Sequence, residues 1–580
     1  MLASVGFAIT GFGDFWGRPE SSARWAVTYL PAGQLRKKGR LVRQVPVLVS
    51  GAGPVGMTLA YELAMRGIST LLVERNATTT RHPKMDITNA RSMELFRRLG
   101  LTKALRSVGV PESNNFDVSW ITTLAGHELH RFRYPSVTQW RDMIRERNDG
   151  SMPAEPPMRV SQVEIEPVLA RAVRSHCLID ARWGVTFEEL SQDPLGVTVT
   201  LRAEDGQTER VRCDYVVGCD GGSSEVRRSL GIRLGGQAAV MQRFMTHFRS
   251  DALTVLQRWG QAWHYQSPKG TLIAQDDRNI WTLQSRFNDG VVPNAAQPND
   301  LLQDFAGCDF EYQILVANTW TPHLLVADSY GFNRVFLAGD AAHQYIPTGG
   351  YGMNTGIGDA CDLGWKLAAV LQGFAAPALL NSYEWERRPV GLRNREASRR
   401  HSETRAEIAG CYNADLSRPG PAGELARIEM GRRIANIGNA ENESFGIEFG
   451  YVYHDSPIVC AEPNTDVRMS EQRYVPTTTP GARLPSVILR DGAPIFDRLG
   501  LWFTLICSGT YPSAAVINAA KNFRVPLQIL RVGDPEHEQV YGRGLLLVRP
   551  DQHIAWRGPD CDDPKVAELI LARCVGRYNI

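Results

Sequence analysis

Gly51, Gly53 and Gly56 are spaced as G-x-G-x-x-G in "GAGPVG", and Glu74 follows at the end of the next apolar run, "STLLVER". Such glycines let the backbone approach a pyrophosphate, whose charge is offset by the N-terminus of the helix that Pro54 opens; the acid is placed to accept from a ribose hydroxyl. That is dinucleotide chemistry. The turn alone does not separate FAD from a nicotinamide. Two later acids also close strands: Asp220 in "DYVVGCDGGSSEV", and Asp340, after Gly339, in "RVFLAGDAAHQYIPTGGYGMN". Taken singly, each also reads as an aspartate capping the helix that follows it.

The elements that must position these residues follow from periodicity. "QVPVLVS", a helix over about Pro54 to Met65 and "STLLVER" form a βαβ unit, the pattern of a parallel sheet. A helix over Ala90 to Arg98 stops at Gly100, and "VEIEPVLARAVRS" is a second amphipathic helix. Around "EDGQ" the alternation of residues 182–214 predicts a hairpin, and 236–327 stays strand-like, as a sheet covering a substrate would. Long helices return after Gly339. The Pro- and Thr-rich "VPTTTPGARLP" reads as a linker to a separate small α/β domain. The expected division is an extension at 1–43, a first dinucleotide-binding part at 44–235, a substrate sheet at 236–327, a second dinucleotide-binding part at 328–410, a helical segment and linker at 411–479, and a last domain at 480–580.

Bulk properties remove several classes of function. Among 580 residues, 64 basic and 62 acidic side chains leave a formal charge of +2 with no long single-sign block, so neither nucleic acid nor a membrane is an expected partner. The apolar "LGWKLAAVLQGFAAPALL" is interrupted by Lys366, Gln372 and Pro377 and reads as a buried helix. Ten scattered cysteines without a C-x-x-C pair fit the reduced thiols of a cytoplasmic protein. No metal site is expected: "GHELH" carries His127 and His130 without zinc-site spacing or a third ligand and reads as a surface hairpin. The first residues lack the basic start and cleavage site of a signal peptide.

The ordered trio of a GxGxxG turn, a DG segment and a GD segment resembles the single-component flavin-dependent aromatic hydroxylases, among them para-hydroxybenzoate hydroxylase, phenol hydroxylase and the chlorophenol hydroxylases. "SWITTLAG" and "ITNARSME" resemble the same family, and "PGARLP", "LWFTLICSG" and "LLLVRPDQHIAWRG" resemble the C-terminal thioredoxin-like domain of its phenol hydroxylase branch. The fold implied is α/β: a Rossmann-like FAD-binding domain with an inserted, largely antiparallel substrate sheet, then the thioredoxin-like domain. The activity implied is hydroxylation of a phenolic substrate with dioxygen, by way of a flavin hydroperoxide, with FAD as cofactor. NADPH or NADH is a transient co-substrate, since no second GxGxxG turn has a strand-turn-helix setting.

By position, the resemblance assigns Asp340 to the ribityl chain of FAD, and Pro347, Gly350, Gly352, Met353 and Asn354 to the isoalloxazine edge. It gives Gln162 to FAD and Asp220 to flavin and nicotinamide. Arg75 and Arg91 are further cofactor candidates, each equally readable as an exposed arginine. Asp86 falls where phenol hydroxylase carries its active-site aspartate; beside an apolar pocket its pKa is expected to rise, suiting it to take a phenolic proton. A surface or capping aspartate is the plain alternative. His264 and Tyr265 in "WHYQ" are expected to be satisfied within the substrate sheet, outside the catalytic set. Cys507 has no nearby second cysteine, so a structural or homodimer-forming role is expected for its domain.

Overall fold

The computed structural model describes residues 35–37, 40–287, 297–463, 469–509, 514–533 and 535–577. The extension expected at 1–43 lies mostly outside them. Its end is already sheet: the first long strand starts at Arg40 and pairs antiparallel with Leu35–Lys37. Val45, Val47, Leu48 and Val49 are all buried. A strand covered on both faces needs such an unbroken apolar run.

This strand (Arg40–Ser50) runs parallel to Thr70–Glu74 on one side and Thr208–Gly218 on the other, with Ile179–Trp183 and Val335–Leu337 beyond them. Helices Pro54–Met65 and Tyr351–Leu371 stack together against the sheet. The expected hairpin is present, with Gly196–Ala203 paired antiparallel to Val185–Asp193 and to Thr208–Gly218.

A second sheet has seven strands in the order Gln313–Trp320, Arg243–Arg249, Ile280–Arg286, Gly270–Ala274, His264–Ser267, Val118–Ile121 and Glu128–Phe132. Its last two strands correct the expected division, because they come from the first dinucleotide-binding part and not from 236–327. A hairpin that is remote in sequence completes the sheet through the parallel pairing of His264–Ser267 with Val118–Ile121. The "GHELH" histidines do lie on this edge hairpin.

Strand alternation gives the sheet two unlike faces. Tyr265, Leu272, Trp281, Leu283 and Phe248 pack into an apolar core. Cross-strand register places His264, Gln266, Thr271, Gln284, Arg286 and Arg243 on the other face.

The C-terminal sheet, ordered Leu527–Val532, Phe503–Ser508, Gly544–Val548 and Ile554–Gly558, is flanked by helices Ala514–Phe523 and Pro564–Cys574. This is the expected thioredoxin-like arrangement, but it is not separate. Its core includes Trp365, Ala369, Phe374 and Leu379 from the FAD-binding part. Nor is "VPTTTPGARLP" a free linker. Thr478 to Leu484 are buried, and the backbone amides of Gly481 and Leu484 donate to Ile554 and Gln552 carbonyls. Proline and threonine favour extended chain, and here that extended chain is bonded into the interface. Among the described residues no helix is long and apolar enough to cross a membrane.

Candidate active site

The glycine turn is shaped by close approach. Gly51 has φ +103°, and a Cβ there would lie 2.3 Å from the Cys219 carbonyl oxygen; one at Gly56 would lie 1.9 Å from the Gly51 oxygen. At Gly53 a Cβ would meet nothing within 4 Å. Gly51 and Gly56 thus let protein pack on protein, while Gly53 leaves space in front of the helix. That helix begins at Pro54 with no side-chain cap and no acid in its first turn, so its N-terminal amides stay open to an anion. Glu74 Oε1 accepts from both the backbone amide and the side-chain amide of Asn76, while Oε2 accepts from the Ala52 amide (2.9 Å) and keeps room for a second donor.

The DG and GD segments are clamped together. Arg227 donates to the Gly222 carbonyl (2.9 Å) and the Ala341 carbonyl (3.0 Å), and Gln344 also donates to Gly222. Asp220 Oδ2 accepts from the amides of Glu225 and Val226, which makes Asp220 a helix cap, while its Oδ1 is buried with no hydrogen-bond partner. Asp340 is exposed, although protein crowds around it and that desolvation raises its carboxyl. Sequence reasoning missed Asp359. It is fully buried on the long helix and accepts from the Gly339 amide (3.2 Å), His343 (2.8 Å) and Arg387 (2.8 Å), fixing the GD turn. A buried charge is tolerable only with such partners, but nothing in "GIGDA" announces them.

From that turn the chain enters helix Tyr351–Leu371 through Gly350 (φ +66°), again with no side-chain cap and no acid in the first turn. Pro347, Gly349 and Gly350 line a cleft of about 90 Å³, partly open to solvent, with Asp86, Ile87, Trp263 and His264 opposite. Phe116, Tyr134, Trp140 and Phe445 add aromatic walls. Glu448 also lines it; burial lifts its carboxyl to about 8 against the hydrogen bond it accepts from the Ala90 amide, so it is mostly protonated at neutral pH.

Asp86 is pinned from both sides. Its carbonyl accepts from the Val160 amide, and Oδ2 accepts from Trp263 Nε1 (3.0 Å) and His264 Nε2 (2.9 Å). The expected rise in its pKa is not found. Burial pushes the carboxyl up, but the hydrogen bond and charge of His264, with the Trp263 indole, outweigh it and hold Asp86 below its ordinary value. His264 is lowered in turn, because burial outweighs its pairing with Asp86. At neutral pH the pair is therefore a carboxylate and an uncharged imidazole that donates through Nε2. His264 was expected to be an ordinary sheet residue; its strand supplies that setting, and the signal for more was only its place beside Trp263. Tyr265, one residue on, is a sheet residue, donating to the Gly260 carbonyl from the opposite face.

Comparison with known proteins gives this geometry a family. Residues 44–398 match the family described as FAD binding domain, and 477–577 match the one described as aromatic-ring hydroxylase, C-terminal. The chain belongs to the FAD-dependent aromatic-ring hydroxylases. It is 36% identical to the FAD-dependent monooxygenase apdD of Emericella nidulans, covering 96% of this chain and 94% of that one. It is 29% identical to the 2,4-dichlorophenol 6-monooxygenase of Delftia acidovorans over 89% of this chain and 95% of the relative. Among solved structures, chromopyrrolic acid-soaked RebC with bound 7-carboxy-K252c superposes with a TM-score of 0.83 at 33% identity, covering 92% of this chain and 99% of RebC. This chain is an enzyme, a flavin-dependent aromatic monooxygenase with FAD as cofactor and NADH or NADPH as reductant.

The residues present fit FAD: an uncapped helix end beside open space at Gly53, the unpartnered Asp220 Oδ1, the accessible Asp340 and a second uncapped helix end at Gly350 would hold it. When bound, FAD supplies the redox chemistry, taking two electrons from the nicotinamide and delivering one oxygen atom of dioxygen. Of the sequence-derived candidates, Arg75 is exposed beside Glu74. Gln162 is buried, donates to Glu166 and reaches the Asp86 segment through its amide, which donates to the Met85 carbonyl. Met353 is half-buried, and Gly352 has open space around it. Asn354 braces the loop instead of opening to it, accepting from the Asn89 amide and donating to Ile87 and Gly350 carbonyls. Arg91 points the other way, to Glu94, Gln552 and the Asp551 carbonyl, and belongs to the C-terminal interface.

Proposed function

We propose that Asp86 binds the phenolic hydroxyl of the substrate and draws its proton, with the ring lying in the cleft between Pro347–Gly350 and Trp263. The observation that carries this is the division of labour on one carboxylate. Both protein donors take Oδ2, so among the described residues Oδ1 keeps no partner, and Asp86 lines the cleft. An ionised acceptor held by a neutral imidazole and an indole polarises an O–H bond and enriches the ring in electron density. Because its pKa is lowered and not raised, Asp86 acts as a strong orienting acceptor more than as a matched base. Pro347, Gly350, Gly352, Asp340, Asp220, Gln162, Glu74 and the glycine turn hold FAD in this reading. The aromatic walls of the cleft suit the ring of a phenolic substrate.

The decisive variant is Asp86→Asn, which keeps the shape and loses the charge. Flavin reduction by NAD(P)H is expected to persist, while product formed per NAD(P)H consumed falls at least about tenfold, the scale of a lost general acid–base or charged hydrogen-bonding group. Unchanged coupling would remove Asp86 from the reaction.

A further inference from the structure

Far from the cleft, folding brings together two cysteines that are remote in the chain. Cys460 lies in the segment that follows the FAD-binding helices, and Cys574 is the last residue of the C-terminal helix Pro564–Cys574. Both thiols are free, and the Cys574 thiol donates to the Cys460 sulfur. Neighbouring groups hold the two in place. The Cys460 amide donates to the Ala555 carbonyl (2.9 Å), and Arg573 Nη1 reaches the Val459 carbonyl (3.5 Å). Cys574 is buried in the core that the C-terminal sheet shares with the FAD-binding part, and Cys460 packs against that core.

The two sulfurs differ chemically. Cys460 is half-buried, and the hydrogen bond from Cys574, helped by the charge of Arg573, outweighs burial and holds its thiol below the ordinary value. The Cys574 thiol is pushed well up, by its hydrogen bond to Cys460 and then by burial. Its place at the carbonyl end of a helix also disfavours a thiolate. A partly accessible sulfur inclined to ionise, backed by a protonated thiol in contact with it, is the arrangement of an attacking and a resolving cysteine.

We propose that Cys460 and Cys574 form a peroxide-sensitive disulfide that fastens the C-terminal helix to the body of the enzyme. The oxidant is hydrogen peroxide. The enzyme's own reactants supply it when no phenol takes an oxygen atom: NAD(P)H, a proton and dioxygen give NAD(P)+ and hydrogen peroxide. The Cys460 thiolate attacks one peroxide oxygen, the O–O bond breaks, the S–O bond of a sulfenic acid forms, and the departing hydroxide is protonated to water. The Cys574 sulfur then displaces the sulfenic hydroxyl and loses its proton, so that a second water leaves as the S–S bond forms. Two thiols are oxidised and one peroxide is reduced to two waters. The link acts where the C-terminal part is anchored. Ser456 donates to Glu386 (2.5 Å), which also accepts from Arg549, and the Val575 carbonyl accepts from the Ala376 amide (2.9 Å). Joining Cys460 to Cys574 closes a loop of roughly a hundred residues in the unfolded chain, which stabilises the fold.

The test treats the full-length, FAD-loaded enzyme with a small excess of hydrogen peroxide, blocks the remaining thiols with N-ethylmaleimide and maps linked peptides by mass spectrometry without reductant. The expected result is a peptide pair joining Cys460 to Cys574, cleaved by dithiothreitol and formed before the exposed Cys177 is oxidised. Two of the ten free thiols are then lost, and the thermal midpoint rises. In Cys574→Ala, peroxide is expected to leave Cys460 as a sulfenic acid that dimedone traps, whereas in Cys460→Ala dimedone finds nothing at Cys574. FAD content shows whether each variant has folded, and the peptide map of the unaltered enzyme decides where one has not. Oxidation of Cys177 ahead of the pair, a link from Cys460 to any other cysteine, or peroxide that leaves both thiols free overturns the proposal. A link that forms without raising the midpoint overturns the fastening role.

Discussion

At the scale of single residues, the three glycines of the turn separate two kinds of need. Gly51 lies at φ +103° with the Cys219 carbonyl 2.3 Å from any Cβ, so Gly51→Ala is expected to cost roughly 3 kcal/mol or more and to lower the thermal midpoint. Gly53 has extended backbone, φ −72° and ψ 179°, and open space where its Cβ would stand. Gly53→Ala is therefore expected to fold normally and to lose FAD affinity by about tenfold, close to 1.4 kcal/mol, in a cofactor titration. A Gly53→Ala protein that is unstable but binds FAD normally would contradict the assignment. The dyad makes its own prediction. His264 holds Asp86 low, so in His264→Phe burial acts with less opposition and the Asp86 carboxyl rises. Protonated Asp86 cannot accept the phenolic hydrogen bond, and the acid limb of the product yield against pH must then move to higher pH. The same limb should be absent in Asp86→Asn. A limb that stays in place in His264→Phe would show that another group sets it.

At the scale of elements, what the sequence revealed was whatever is local. "VPVLVS", the turn and the Ala90–Arg98 helix declare themselves through periodicity and the Gly100 stop. The aspartates of the DG and GD segments were legible because each ends a strand. Legibility ended where a charged residue goes inward, since Arg and Glu on a helix read as solvated. Glu94 on that helix is fully buried and accepts from Arg483 Nε (2.9 Å), and Arg91 beside it reaches Gln552. Those partners lie hundreds of residues away in sequence, and the two strands that complete the substrate sheet, Val118–Ile121 and Glu128–Phe132, lie more than a hundred residues from the rest of it. The buried pair defines the element's stability. Glu94→Gln leaves the Arg483 guanidinium without its counter-charge, flanked by the rings of Phe449, Tyr474 and Phe496, and is expected to destabilise by about 3–5 kcal/mol in denaturant unfolding. Replacing both partners, Glu94→Leu with Arg483→Met, should recover much of that loss, because removing both charges also removes their desolvation cost. Equal instability of the single and double variants would mean that packing, and not charge, governs this contact.

At the scale of the whole molecule, the C-terminal sheet is a wall of the same body that holds the cleft. Arg549, on that sheet's side, is fully buried against Glu386 (2.6 Å), Asp551 (2.6 Å) and Asp362 (3.1 Å), and Lys366 completes the group by donating to Asp362 and Glu386. Three buried carboxylates so close together could hold a metal ion, but two basic side chains already fill that place. Asp362 and Lys366 sit on the helix whose first turn faces the cleft, so the interface sets that helix's position as well as its stability. A chain ending near residue 476 would strip this arrangement. It would expose Trp365, Ala369, Phe374 and Leu379, which now lie in the shared core, and take Arg483 from Glu94 and Arg549 from Asp362 and Glu386. At about 25 cal/mol per Å² of apolar surface the exposed patch alone is costly, and carboxylates that lose one of two cationic partners add to it. The truncated protein is therefore expected to aggregate or to lose FAD on expression, as read by the flavin absorbance of the soluble fraction. A truncated protein that stays soluble, yellow and coupled would instead make the C-terminal part an independent module, and would detach the long helix's placement from Arg549.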